Sequence, residues 1–185
     1  MHPTVSHVKL IYKAQRGFTL VELITVVIIL GILAVTAAPR VFSSDEYAEY
    51  AFQQRLQTAL RTMQIQAMHD TRPGFCYQIL FNTGSNSAFG PASNNYQPGN
   101  QSATCAASID FLSPKYLRSD AGELADKGVE LIATDSGLAI TYLRFNALGQ
   151  PRTNLGSCAS SCRISFVGDE SASICVLSEG YVHEC

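Results

Sequence analysis

The sequence predicts an α+β fold in which a long N-terminal helix, membrane-embedded in its first half and amphipathic in its second, packs on a mainly antiparallel β-sheet head. Three observations carry that expectation. An apolar run from Phe18 to Ala38 contains a single charge, Glu22. Apolar residues then recur at three- and four-residue spacing to about Met68, and beyond Pro73 the pattern changes to short β-rich segments separated by Gly, Asn, Asp and Ser. The chain has 185 residues, 46% hydrophobic and 15% charged, a composition that suits one folded domain with added segments and excludes a disordered chain.

Residues 1–17 contain no acid and carry Lys9, Lys13 and Arg16. The positive-inside rule leaves this end in the cytoplasm and sends the rest across. The following run matches the about 20 residues that a helix needs to cross a bilayer, so the membrane-spanning part is placed at 18–39. Glu22 breaks the run. An ionisable side chain at membrane depth costs about 2.5–3.5 kcal/mol, which implies a partner for it. The simplest competing reading is a secretory signal with small residues at Thr36-Ala37-Ala38. Glu22 inside its apolar region and Pro39 beside its cut both oppose that reading.

Past Pro39 the stripe Ala48, Phe52, Leu56, Ala59, Met63 and Ala67 defines a face that packs on a sheet, while Glu49, Gln53, Gln57, Arg61 and Gln64 read as the solvated face. The helical part is placed at 18–69, about 75 Å long if unbroken. Pro39 lacks the N–H that a helix interior uses and is expected to kink or loosen it. Ser43 with Glu46 matches a capping box that restarts it, so a joint is expected near Arg40 to Ser44.

The β head is placed at 70–185. Strands are expected at 74–81, 129–134, 138–145, 162–167 and 173–178, with a hairpin turn at Asp135-Ser136-Gly137. Residues 82–104, dense in Asn, Ser, Gly and Pro, read as one long surface loop. Six cysteines all lie beyond the apolar run, in a number and position that suit an oxidising compartment. They allow fifteen pairings. Spacing favours Cys76–Cys105 closing the polar loop, Cys158–Cys162 across Ala159-Ser160-Ser161, and Cys175 opposite Cys185 across a three-residue loop at Glu179-Gly180-Tyr181.

Zinc is the competing use of the cysteines, with His183 near Cys185, but no Cys-x-x-Cys knuckle is present and no metal or other cofactor is expected. No nucleophile elbow, phosphate-binding glycine loop or metalloprotease helix occurs, so an enzyme is not expected. Nucleic acid is an unfavoured partner. Without residues 1–17 the chain keeps ten of its 13 basic residues against 15 acids, a side-chain charge of −5. Arg144, Arg152 and Arg163 are the basic residues whose convergence would alter that reading.

Gly17-Phe18-Thr19-Leu20-Val21-Glu22, joining a basic leader to an apolar helix, resembles the processing site of type IV pilins and type II secretion pseudopilins. The resemblance implies a pilin-like fold and a cut by prepilin peptidase between Gly17 and Phe18, with N-methylation of Phe18. It also implies a salt bridge in the filament between Glu22 and the new amino terminus of a neighbouring subunit. That amino group, with a reference pKa of about 8, is cationic near neutral pH, and pairing offsets the penalty each charge would carry alone in hydrocarbon. Gly31 and Pro39 are then points of helix flexibility in the packed filament, or residues that a membrane helix simply tolerates.

The stretch Gly31 to Pro39 and the segment 60–76 resemble pilins of the mannose-sensitive haemagglutinin (MSHA) type. The stretches 143–151 and 174–182 resemble paired strands of minor pilins and H-type pseudopilins. The function implied is a minor pilin that initiates or caps an MSHA-type pilus in surface adhesion. Its expected partners are other pilins, the prepilin peptidase and an inner-membrane assembly platform. The alternatives are an H-type pseudopilin of a type II secretion system and a minor pilin for DNA uptake. A further possibility is adhesion through Phe89 and Tyr96 of the polar loop.

Overall fold

The structure is a computed structural model that describes residues 18–42, 47–70, 72–92 and 104–185, with side chains of the first stretch described as far as Ala34. It divides into two units, Met1–Ser43 and Ser44–Cys185.

In the first unit, α1 (Leu20–Phe42) begins after Thr19, whose hydroxyl oxygen accepts a hydrogen bond from the Glu22 N–H at 3.2 Å. Thr19 thus fills the N-cap role, with Glu22 three positions on, the arrangement of a capping box. Every large apolar side chain from Phe18 to Leu33 is exposed within the unit, so the helix is apolar all round. The helix continues through Pro39 to Phe42. A proline removes one N–H donor, a single gap that the backbone bonds of the neighbouring turns can bridge. Residues 40–42 of the joint expected at 40–44 are therefore helical, and its remainder, with the proposed cap residues Ser43 and Glu46, lies outside the described residues.

The second unit opens with α2 (Ala48–His69). It lies over two antiparallel sheets. The first has the order β2-β1-β5-β6, from β1 (Tyr77–Asn82), β2 (Ala88–Pro91), β5 (Tyr142–Phe145) and β6 (Pro151–Thr153). The second has the order β4-β3-β7-β8-β9, from β3 (Glu130–Asp135), β4 (Leu138–Ala139), β7 (Cys162–Val167), β8 (Ser171–Val176) and β9 (Val182–Glu184). A one-turn helix, α3 (Glu123–Asp126), leads into β3.

The α2 stripe of Phe52, Leu56, Ala59, Leu60, Met63 and Ala67 meets Ile79 and Leu143 of the first sheet and Leu131, Ile164, Phe166 and Ile174 of the second in one core. Phe166 is its centre, stacked on Phe52 at 5.9 Å between ring centroids and edge-on to Phe89 at 5.8 Å. Each such side chain contributes about 1.5–3 kcal/mol by leaving water.

The helix face read as solvated is largely a docking seam. Glu49 and Gln53 are buried. Gln53 donates to the Ser173 carbonyl at 2.7 Å, Arg61 to the Val182 carbonyl at 3.1 Å, and Gln64 to the carbonyls of Gly149 and Gly180 at 2.9 and 2.8 Å. Oε1 of Glu49 accepts from the Glu170 N–H at 3.2 Å. These side chains satisfy backbone groups of β8, β9, the turns on either side of β8 and the β5–β6 turn that an apolar surface would leave unpaired.

The loop expected over 82–104 is interrupted by β2, which pairs with β1 in the register Phe81↔Phe89. Phe89 is fully buried, so it is not available as a contact residue, and Tyr96 lies outside the described residues. Turn-forming residues around it hide this strand from composition. Gly90 is the position that permits it, because a Cβ there would come within 2.8 Å of both Arg118 and Ile109.

The strand expected over 138–145 is two strands in different sheets. β4 pairs with β3 around the expected turn, the chain corners at Ile140 and Thr141, and β5 joins β1 and β6. The stretches 143–151 and 174–182 do not pair with each other; each holds its own antiparallel pair, Phe145↔Pro151 and Val176↔Val182. Their turns meet instead through the Gln64 side chain.

Candidate processing and assembly site

The residues singled out for processing and assembly gather at the start of α1. Gly17 lies outside the described residues. Phe18 is 81% exposed, and Glu22 is exposed one turn further on. The Glu22 backbone is well held: its N–H is capped by Thr19 and its carbonyl accepts from the Thr25 hydroxyl at 2.9 Å. Its carboxylate makes no ion pair or hydrogen bond among the described residues. The arrangement therefore presents an anion on an otherwise apolar rod, one that can take a cation from elsewhere. Thr19 was missed at the sequence level, although Thr19-Leu20-Val21-Glu22 carries the S/T-x-x-E signature that would have found it.

A Cβ at Gly31 would meet nothing within 4 Å, so nothing among the described residues requires a glycine there. Of Pro39 only the backbone is described, and it is helical. Among the described residues no helix is long and apolar enough to cross a membrane, the side chains described in α1 ending at Ala34.

The cysteines lie in three disulfides: Cys76 to Cys105, Cys158 to Cys162 and Cys175 to Cys185. The first ties the start of β1 to the segment that covers the outer face of the first sheet, where the Cys76 N–H also donates to Thr104 and the Gln78 amide to the Ala106 carbonyl. The third is not a directly opposed pair. Cys175 faces His183, because the three-residue loop closed by the Leu177 N–H and the Tyr181 carbonyl lies at Ser178-Glu179-Gly180, one position earlier than expected.

Among the described residues, the one cluster with the spacing of a metal site is Asp135 with Cys158 and Cys162, and its two sulfurs are bonded to each other. A disulfide sulfur offers no thiolate donor, so the set does not form a zinc site as it stands. His183 stacks on Tyr181 and its Nδ1 lies 2.7 Å from the Glu184 carbonyl. Of the three arginines considered for a basic surface, Arg144 and Arg152 stand opposite one another on β5 and β6, and Arg163 is on β7 of the other sheet.

No curated protein and no solved structure matches the chain. A family model does match residues 12–38, across the expected cut, Glu22 and the apolar run, and it is described as the prokaryotic N-terminal methylation motif. The chain thus carries the methylation motif that is the signal of type IV pilin-like proteins, joined to a capped apolar helix whose Glu22 carboxylate has no partner among the described residues.

Proposed function

We propose that this chain is a minor pilin, a low-copy structural subunit that helps initiate or cap an MSHA-type type IV pilus in surface adhesion. Prepilin peptidase cuts it between Gly17 and Phe18 and methylates Phe18. Residues 18–39 hold it in the bacterial inner membrane with the head, 70–185, in the periplasm. There it meets the assembly platform, the other pilins and other minor pilins, and Glu22 takes the amino terminus of a neighbour.

The observation that carries the reading is the methylation motif over residues 12–38, which supports a pilin- or pseudopilin-like structural protein with other pilins and a prepilin peptidase as partners. The exposed apolar surface of α1 adds to it, since such a surface is stable only in lipid or against other helices. The same motif supports the alternative of an H-type pseudopilin in type II secretion.

Mass spectrometry of the mature protein should find N-methylated Phe18 as the first residue. Surface piliation should fall in a deletion strain and with Glu22→Ala. It should fall equally with Glu22→Gln, which keeps the capping geometry and loses the charge. Normal pili and adhesion in all three strains would sink the proposal, and lost exoprotein secretion with normal pili would select the pseudopilin.

A further inference from the structure

Arg144 and Arg152 are cross-strand partners, so both side chains stand on the outer face of the first sheet, away from α2. Like charges directly opposite one another are unfavourable unless an anion lies between them. Among the described residues neither arginine has such a counter-charge: the ion pairs engage Arg55, Arg72, Lys115 and Arg118. The row extends across the sheet, because Gln78 of β1 is the partner of Arg144 on its other side.

Beside this row lies a pocket of about 380 Å³, within the size range of small-ligand sites. Gln78, Asn82, Thr141, Tyr142 and Arg144 line it, together with the Cys76–Cys105 disulfide and the apolar Leu80 and Phe81. Arg144 is held in place, its guanidinium 5.9 Å from the Tyr142 ring centre and its Nη1 3.6 Å from the Cys76 sulfur.

We infer that this pocket binds the carboxylate of an acidic saccharide. A guanidinium fork matches the two oxygens of a carboxylate, and amide and hydroxyl side chains both donate and accept, as the hydroxyls of a sugar ring require. A polyanion such as nucleic acid fits less well. It needs a track of cations, whereas Arg163 is on the other sheet and the chain without residues 1–17 carries −5.

The test uses the full chain, isotopically labelled in a non-ionic detergent and titrated with D-glucuronate by NMR. D-glucose, inorganic sulfate and a single-stranded oligonucleotide serve as comparison probes. Saturable shifts of the Gln78 and Tyr142 amides are expected with glucuronate, about tenfold stronger than with glucose or sulfate. Arg144→Gln should weaken binding about tenfold, Arg152→Gln, beside the pocket and not lining it, should weaken it less, and Arg163→Gln should leave it unchanged. Equal response to glucose or to sulfate, tighter binding of the oligonucleotide, equal loss with Arg163→Gln, or no saturable shift would each overturn the inference.

Discussion

At Glu22 two physical demands meet. The carboxylate sits at the third helical position, where the positive end of the helix dipole favours an anion by about 0.3–1 kcal/mol and where a capping box uses a glutamate. Its cost in an apolar setting is therefore partly offset by its own helix, which a reading as a bare buried charge overlooks. A second ionised site follows a different logic. The Asp70 carboxylate is held well below the usual carboxylate range, first by hydrogen bonds from the Arg72 guanidinium and then by the Tyr77 hydroxyl. Arg72 is raised in turn, mainly by its bond to Asp70, and its guanidinium lies 4.2 Å from the Phe75 ring centre. A depressed carboxylate contributes stability that is present above its unfolded value, near 3.8, and is lost as pH falls below it. Asp70→Asn should therefore lower the thermal midpoint at pH 7. The gap to the parent protein should hold at pH 5 and narrow as melts are repeated down to pH 2. A gap independent of pH would remove the ion from the explanation.

Among the elements, α2 was legible in its apolar face and misread in its polar one. Periodicity marks Leu56 and Met63 as core because water rejects them whatever they pack against. It cannot say whether Gln53 and Gln64 face water or backbone carbonyls, since both satisfy an amide. The Gln64 clamp adds a requirement at Gly180, whose φ is +93° and where a Cβ would collide with the Gly149 carbonyl oxygen. Gly180→Ala should cost about 2–4 kcal/mol in denaturant melts, combining the left-handed backbone with displacement of the clamp. A loss below about 0.5 kcal/mol, the range of an ordinary surface substitution, would mean that the two turns are not packed as described. The same limit of local reading explains the split strand at 138–145. Leu138 to Phe145 reads as one β-rich run, and what divides it is the corner at Ile140 and Thr141. There a buried isoleucine and a bond from the Thr141 N–H to Asn154 turn the chain into the other sheet.

At the scale of the molecule, the second unit has its own continuous core and three disulfides, and the one linking Cys76 and Cys105 spans 29 positions. Closing a loop of that size stabilises by about 3–4 kcal/mol on the chain-entropy model, so a Cys76→Ser, Cys105→Ser double variant should melt earlier by that amount in denaturant titrations. The segment from Thr104 to Ile109 should also lose amide-exchange protection in that variant. Unchanged stability would show that hydrogen bonds alone hold this cover. By itself the sequence determined the α+β class, the apolar N-terminal helix with its lone acid, the methylation signal and the core stripe of α2. These are properties of local order and of water's rejection of apolar side chains, which act at short range along the chain. Only the tertiary structure decided that two sheets lie under the helix, that β2 and Phe89 are interior, and that the polar side of α2 is bonded to strand backbone. It alone brings Arg144 beside Arg152 and leaves Arg163 elsewhere, because strand order and register are set by pairings between residues far apart in sequence, which no local pattern encodes.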